Sequence, residues 1–368
     1  MRVLFSVPYA PTFEVLEDGF RAEQVVVQRR GSDWGKRGIA KRIWHVLEGL
    51  RVAWRARSCD VLVLCSVSVE AFVVGWVRGW LCPRTRVVVV DFLIPRAGGL
   101  DGLLAFGLRG SGAVVCIRTG DIRTLERRFG VDRRRCWFAH YPARAIGGGE
   151  DPAVQMGEFE CGYVYSAGFA HRDWETLIEA LGRLSVRAIL SPGFDFKPTG
   201  PMPLNIRIVP PLPPEEGRRL LAGARLAVFS LEETELPCGP LVLLDAMVLG
   251  KPIIATRTNA TRDYLRHGET AWMVEPRDSE ALAIAIEGLW KDEGLAEELA
   301  GNAVEVSLRT YTSAGFMAVI CEACLAAVGE TSPATVPGEE MGGWRGAESR
   351  RGTLPGSSDI TDRWEGER

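Results

Sequence analysis

The chain is 368 residues long, more than one hydrophobic core usually serves, so its length predicts two domains. With 46% hydrophobic and 25% charged residues it falls outside the disordered and fibrous classes and can fill real cores. A net charge of −3 argues neither for nor against nucleic acid, because patches outweigh the sum; no nucleic-acid partner is expected.

In chain order, residues 3–7 (Val-Leu-Phe-Ser-Val) are too few for the apolar region of a secretion signal and read as a first strand. Further strands are predicted at 24–27, 61–64, 86–90, 113–116 and 135–138, with helical spacing at 37–57, 69–81, 100–108 and 121–129. Apolar runs separated by helices of this length imply a parallel sheet covered on both faces. The most apolar segment, 61–82, contains Glu70 and Arg78 and falls short of the ~20 apolar residues of a membrane span, so no transmembrane helix is expected. The stretch 36–57 is basic: Lys36, Arg37, Lys41, Arg42, Arg51, Arg55 and Arg57 stand against one acid, Glu48. Ile43, Trp44, Leu47, Leu50 and Trp54 recur there at helical spacing. Two readings stay open for it, peripheral contact with an anionic membrane surface and a helix simply packed on the sheet.

Around 141–157 the pattern lapses into Ala, Gly, Pro and acidic residues, the composition of a linker. The alternation then restarts, with strands predicted at 163–167, 187–190, 206–209, 226–230, 252–255 and 271–274. Helices are predicted at 174–184, 215–222, 240–249 and 280–290, with more helix to about 327. The expected organisation is α/β: a Rossmann-like domain over 1–145, a linker over 146–160, a second Rossmann-like domain over 161–328 and a disordered tail over 329–368. That tail is rich in Gly, Ser, Pro, Glu and Arg and has too little apolar surface to offset the entropy of ordering. Two such parallel sheets face a cleft, and ligands bind outside the carboxyl ends of their strands.

The nine cysteines are scattered and odd in number, which fits free, mostly buried thiols in a reducing cytoplasm. Cys321-x-x-Cys324 has no second pair and reads as core packing, since a metal site needs more ligands. His45, His140, His171 and His267 show no metal-ligand spacing. No bound metal and no cofactor are expected.

The most informative stretch is Cys238-Gly-Pro-Leu-Val-Leu-Leu-Asp245-Ala-Met-Val-Leu-Gly250-Lys-Pro-Ile-Ile-Ala255-Thr. Gly239 can take unusual dihedrals, Pro240 suits a first helical turn, and Gly250 ends the helix before the next strand. A helix start of this kind offers free N–H groups and partial positive charge to an anion. Asp245, one and a half turns along, could accept hydrogen bonds from hydroxyls.

This stretch, followed by Asp263-Tyr264-Leu-Arg-His-Gly268-Glu-Thr270 and ending at Val274-Glu-Pro276-Arg-Asp278, resembles the signature of retaining GT-B glycosyltransferases of the family-4, or group 1, type. Upstream, Tyr163-Val-Tyr-Ser-Ala-Gly168-Phe-Ala-His-Arg172-Asp173 resembles that family's strand, glycine loop and helix opening, and Asn205-Ile-Arg-Ile-Val209 resembles its base-binding strand. The resemblance covers about 160–308; the first half is similar in pattern alone. It implies a GT-B fold and transfer of a hexosyl group, with retention and without metal. The donor would be a UDP- or GDP-linked sugar, and the acceptor a glycan, a lipid-linked molecule or a small molecule. It implies that Arg172, before a helix that Asp173 can cap, and Asp245 are the catalytic candidates, at the donor diphosphate and ribose respectively. Gly168, Gly239, Pro240 and Leu241 would complete the phosphate cradle, with Ile208 and Val209 against the base. Work in the cytoplasm, or at the cytoplasmic face of a membrane, is expected.

Two departures stand out. Pro237 occupies a position where the family often has an acid; two readings stay open for Glu235 and Glu233, that one of them substitutes from a shifted loop and that they are simply solvated. The family's glycine pair after the first strand is replaced by Pro8-Tyr9-Ala-Pro11. These departures motivate an alternative, a non-catalytic GT-B protein that binds a nucleotide or a partner. A nucleotide-sugar epimerase of the same fold is the third reading.

Overall fold

The computed structural model describes residues 1–7, 24–29, 38–144 except 97 and 100, 162–236 except 195, then 238 and 240–329. The expected linker (146–160), all of the expected tail but its first residue, and Gly239 lie outside the described residues.

Six parallel strands form the first sheet: β1 (Arg2–Val7), β2 (Gln24–Arg29), β3 (Val61–Val67), β4 (Arg86–Phe92), β5 (Ala113–Cys116) and β6 (Cys136–Phe138), in the order β2-β1-β3-β4-β5-β6. The central runs, such as Val-Leu-Val-Leu-Cys in β3, are buried along their length, as strands covered on both faces must be. One face is covered by α1 (Gly38–Ala56), α2 (Val69–Leu81), α3 (Asp101–Arg109) and α4 (Thr119–Phe129). The apolar segment that fell short of a membrane span is thus β3 followed by α2.

Glycines let α1, α2 and α3 lie unusually close. A methyl group added at Gly75 on α2 would stand 2.4 Å from the Cα of Gly107 on α3, and one at Gly49 on α1 would stand 2.8 Å from Cβ of Val73. Real side chains do not approach so closely, so these glycines let the helices pack tightly against one another.

The second sheet repeats the plan with β7 (Val164–Gly168), β8 (Ala188–Pro192), β9 (Ile206–Ile208), β10 (Leu226–Phe229), β11 (Ile253–Thr256) and β12 (Trp272–Val274), ordered β12-β11-β10-β7-β8-β9 and parallel throughout. Leu177 and Leu181 of α5 (Trp174–Gly182) and Leu282 and Ile286 of α8 (Ser279–Lys291) pack on one face. Side chains of α6 (Pro214–Gly223), α7 (Leu241–Val248) and α9 (Glu293–Thr310) join the core on the other. Strand order reverses between β7 and β10, so the crevice expected to take a ligand lies at their carboxyl ends.

The last helix, α10 (Ser313–Val328), follows the second domain in sequence but packs against β3, β4, β5 and β6 of the first sheet. Cβ of Ala327 comes within 2.7 Å of where a side chain on Gly112 would begin, and Phe316 packs on Tyr141 at 5.6 Å between ring centres. Cys321 and Cys324 are buried on this helix, as the core reading expected. Among the described residues no single helix is long and apolar enough to cross a membrane.

Candidate active site

Strand β7 ends at Gly168 with φ of 140°, outside the range of L side chains, and a Cβ there would lie 2.4 Å from Nε of Arg172. Glycine is required because the guanidinium lies directly over this backbone. His171 takes a left-handed conformation (φ 51°), which turns the chain so that Arg172 pairs with Leu231 beyond β10. Asp173 then caps α5, its Oδ1 accepting the N–H of Thr176 at 3.1 Å. Arg172 therefore stands at the reversal point of the second sheet, its guanidinium carbon 5.3 Å from the ring centre of Phe229 at the end of β10. Its Nε is buried and has no hydrogen-bond partner among the described residues. Burial lowers the pKa of this guanidinium.

The loop ahead of α7 closes on the same place. Cys238 donates through Sγ to the carbonyl of Ala170 at 3.4 Å, and Leu231, Cys238 and Ala260 pack with Ala170. Pro240 is the N-cap of α7 and, being proline, supplies no side-chain cap to the first-turn N–H groups of Leu241 and its successors. Gly168 and Arg172 thus meet the approach to α7, while Gly239 falls outside the described residues. Ile208 lies on the edge strand β9, 38% exposed, and Val209 is buried beside it, its N–H bonded to Leu190.

A cavity of about 680 Å³ opens between the halves in front of Arg172. Ile94 and Arg96 line it from the first half; Phe169, His171, Phe194 and Glu232 line it from the second. The exposed rings of Phe169 and Phe194 stand 6.5 Å apart at its mouth. Asp245, Ile208 and Val209 do not line it.

Asp245 is differently placed from its expected role. Its carboxylate is buried in α7 and held by Arg144 of the first half, with Nε at 3.2 Å and Nη2 on the other oxygen, and by Nε of Arg218 on α6 at 3.6 Å. Both carboxylate oxygens expected to receive ribose hydroxyls already face guanidinium groups. Glu233 accepts the N–H of Asn259 and pairs with Arg262, and Glu235 pairs with Arg127 across the halves. Both shifted-loop acids therefore already have cationic partners.

The strand ends of the first half carry a polar pair that sequence reasoning missed, although neither residue lines the cavity. Ser66 and Asp91, at the carboxyl ends of β3 and β4, both have positive φ (50° and 53°), and Ser66 Oγ donates to Asp91 Oδ2 at 2.8 Å. Non-glycine residues rarely hold this conformation, and strain of this kind gathers at functional sites. Burial raises the Asp91 carboxyl above its ordinary pKa, against the pull of Ser66 and Arg118.

The Asp263-Tyr264 motif joins the two halves. The Asp263 carboxylate accepts both N–H and Oγ–H of Thr119, at 2.7 and 2.8 Å, and so caps α4 from the other half. Tyr264 donates its hydroxyl to the carbonyl of Ile117 at 2.8 Å and accepts the N–H of Tyr141 at 3.0 Å. Buried Arg118 pairs with Asp121 at 2.6 Å and donates to the carbonyl of Leu236 in the loop ahead of α7. Burial lifts the Asp121 carboxyl to about 7, with Arg118 pulling the other way. Among the described residues no group of three or more His, Cys, Asp or Glu could hold a metal ion.

Two doubly wound parallel sheets facing one crevice, bridged by a returning C-terminal helix, define the GT-B architecture of glycosyltransferases. Solved structures of that class superpose over most of the chain. A glycosyltransferase from Rickettsia africae does so with a TM-score of 0.63 and 13% identity, over 90% of this chain and 99% of that one. HepE of Anabaena, in complex with UDP-glucose, gives 0.63 and 16%, over 88% and 98%. At these identities the likeness is one of fold. In sequence, residues 202–292 match the family described as Glycosyl transferases group 1, in line with the resemblance drawn from the motifs. An exopolysaccharide phosphotransferase of Streptomyces coelicolor is 37% identical over 87 residues, and the lipopolysaccharide core biosynthesis glycosyltransferase LpsE of Rhizobium meliloti is 34% identical over 89. These stretches are 23% and 24% of this chain, and they span only 9% and 26% of those two relatives.

Proposed function

We propose that the protein is a glycosyltransferase that moves a hexosyl group from a nucleoside diphosphate sugar to an acceptor hydroxyl, with retention and without a bound metal. The observation that carries this reading is the buried guanidinium of Arg172 over Gly168, whose Nε has no hydrogen-bond partner among the described residues, at the reversal point of the second sheet and beside the start of α7. A diphosphate there would receive charge-assisted hydrogen bonds from Arg172 and N–H groups from Leu241 onward. The same groups would stabilise the diphosphate as it leaves. Ile208 and Val209 would flank the base, and the cavity in front of Arg172 would hold the sugar. The Ser66–Asp91 pair at the carboxyl ends of β3 and β4 would orient the acceptor hydroxyl. The donor is expected to be UDP- or GDP-linked; HepE was crystallised with UDP-glucose. The acceptor is a glycan, a lipid-linked molecule or a small molecule, and the reaction takes place in the cytoplasm.

Asp245 favours a second reading. With its carboxylate held by Arg144 and Arg218, the ribose contact expected of it needs those pairs to open. A non-catalytic GT-B protein that binds a nucleotide would leave them closed.

A thermal-shift screen of UDP-, GDP- and other nucleotide sugars, followed by donor turnover with and without acceptor extracts, separates the readings. A ligand at 100 times its dissociation constant adds about 2.7 kcal/mol, a readily measured shift. Stabilisation with turnover supports the enzyme, and stabilisation without turnover supports the binding protein. No response to any nucleotide sugar would sink both. Within the first outcome, Asp91→Asn should abolish transfer and leave slow donor hydrolysis intact.

A further inference from the structure

Arg118 is buried to within 1% of its surface and stands at the N-cap of α4, just past the carboxyl end of β5. A guanidinium so far from water is tolerated only where its charge and its N–H groups are answered. Asp121, one turn along α4, answers the charge: Nε donates to Oδ2 at 3.1 Å, and Nη2 lies 2.6 Å from Oδ1. The remaining arm of the fork leaves the first half altogether. Nη1 donates at 2.8 Å to the carbonyl of Leu236, 118 positions away.

Leu236 belongs to the segment between β10 and α7, and it lines the cavity in front of Arg172 while Arg118 itself does not. A second cation, Arg127 of α4, reaches the same segment at Glu235, but both side chains of that pair are largely in water, which weakens it. The Arg118 bond is shielded from water and ends on a backbone carbonyl, so it fixes the path of the chain and not merely a side chain. Two residues on, Cys238 is tied to the carbonyl of Ala170, in the loop that carries Arg172. The approach to Pro240 is therefore held from the first half at Leu236 and from the second at Cys238. The start of α4 has no slack against its neighbour either, since a Cβ on Gly120 would stand 1.8 Å from Oδ1 of Asn259.

We propose that Arg118 is a positioning residue for the donor site: by holding the Leu236 carbonyl from the first half, it sets where the first-turn N–H groups of α7 stand relative to Arg172. The inference rests on the donor reading above and adds that part of the phosphate cradle takes its place from the other domain. Arg118→Met alone would strand Asp121, so it is combined with Asp121→Asn and compared with Asp121→Asn by itself. The double variant should raise the donor dissociation constant, read by thermal-shift titration with the best nucleotide sugar, by about 10–100-fold over the single one, the scale on which a small misplacement of a binding group acts. Amide hydrogen exchange of the unliganded protein should quicken at 232–244 and stay unchanged in β7 and β10. Arg118→Lys should fall between, because a lysine keeps the charge but, as a point cation, cannot serve Asp121 and Leu236 together. An equal dissociation constant in the double and single variants would overturn the proposal, as would exchange that quickens in the first half and not at 232–244, the mark of a purely structural role. Should the double variant fail to fold, Arg118→Lys decides: wild-type affinity and wild-type exchange at 232–244 would overturn it. Wild type stabilised by no nucleotide sugar would sink the donor reading and this inference with it, whereas equal stabilisation of wild type and the double variant removes the role of Arg118 alone.

Discussion

The two halves share one plan, a six-stranded parallel sheet between helical layers, yet they expose different things. The outer helices of the second half, α5 and α8, show water mainly polar and charged side chains; its exposed large hydrophobics are the scattered Leu204, Ile208, Ile284 and Leu308 and the cavity pair Phe169 and Phe194. The corresponding layer of the first half is apolar and basic. The repeated architecture sets where the strand ends point, while the two copies present different surfaces on their outer helices.

If the crevice chemistry belongs to the second half, the largest effect should follow from Arg172. Arg172→Ala is expected to lower kcat/KM for the donor by about 10²–10³-fold, the usual consequence of losing one electrostatic contact to a leaving oxyanion. Arg172→Lys should recover part of it, and an unchanged kcat/KM in the alanine variant would dissolve that assignment.

Next comes the tie between the halves at Asp245. Arg144→Ala leaves a buried carboxylate with Arg218 alone, and should cost about 3 kcal/mol in urea or thermal unfolding. A loss near zero would show the pair to be loose enough for a ribose to displace, which would sharpen the enzyme reading.

Gly75→Ala should cost about 1–3 kcal/mol, since the new methyl group meets the Gly107 backbone and not a side chain that can move.

The smallest effect concerns pH. The native Asp121 carboxyl titrates at about 7 against an ordinary value of 3.8, so the folded chain holds a proton that the unfolded chain releases. Stability should therefore fall as pH rises through that window, and Asp121→Asn should flatten the profile. A profile equally steep in the variant would locate the titration elsewhere.

Periodicity and punctuation made nearly all the elements legible. The strand expected at 113–116 and the helix expected at 69–81 have those bounds in β5 and α2, and most other ends differ by one to three residues. The capping role of Asp173 was readable for the same reason, since a cap is a local device. What stayed hidden depends on partners distant in the chain. Arg144 lies 101 positions from Asp245, and Thr119 lies 144 from Asp263; no local spacing announces either pair. A family-like motif need not announce what its residues do: Asp263-Tyr264, read as part of the family signature, holds the halves together. The Ser66–Asp91 pair was invisible because left-handed backbone at serine and aspartate leaves no composition signal of the kind glycine does.

The return of α10 to the first sheet has a consequence for synthesis. A nascent chain has all six strands of its first domain outside the ribosome long before the helix that seals one face of them is made. Until residue 328 emerges, the apolar row of Val63, Val88 and Val115 has no lid from this chain, and the earliest-made domain is the last to finish. A stop or frameshift near residue 312 would therefore damage the start of the protein more than its end.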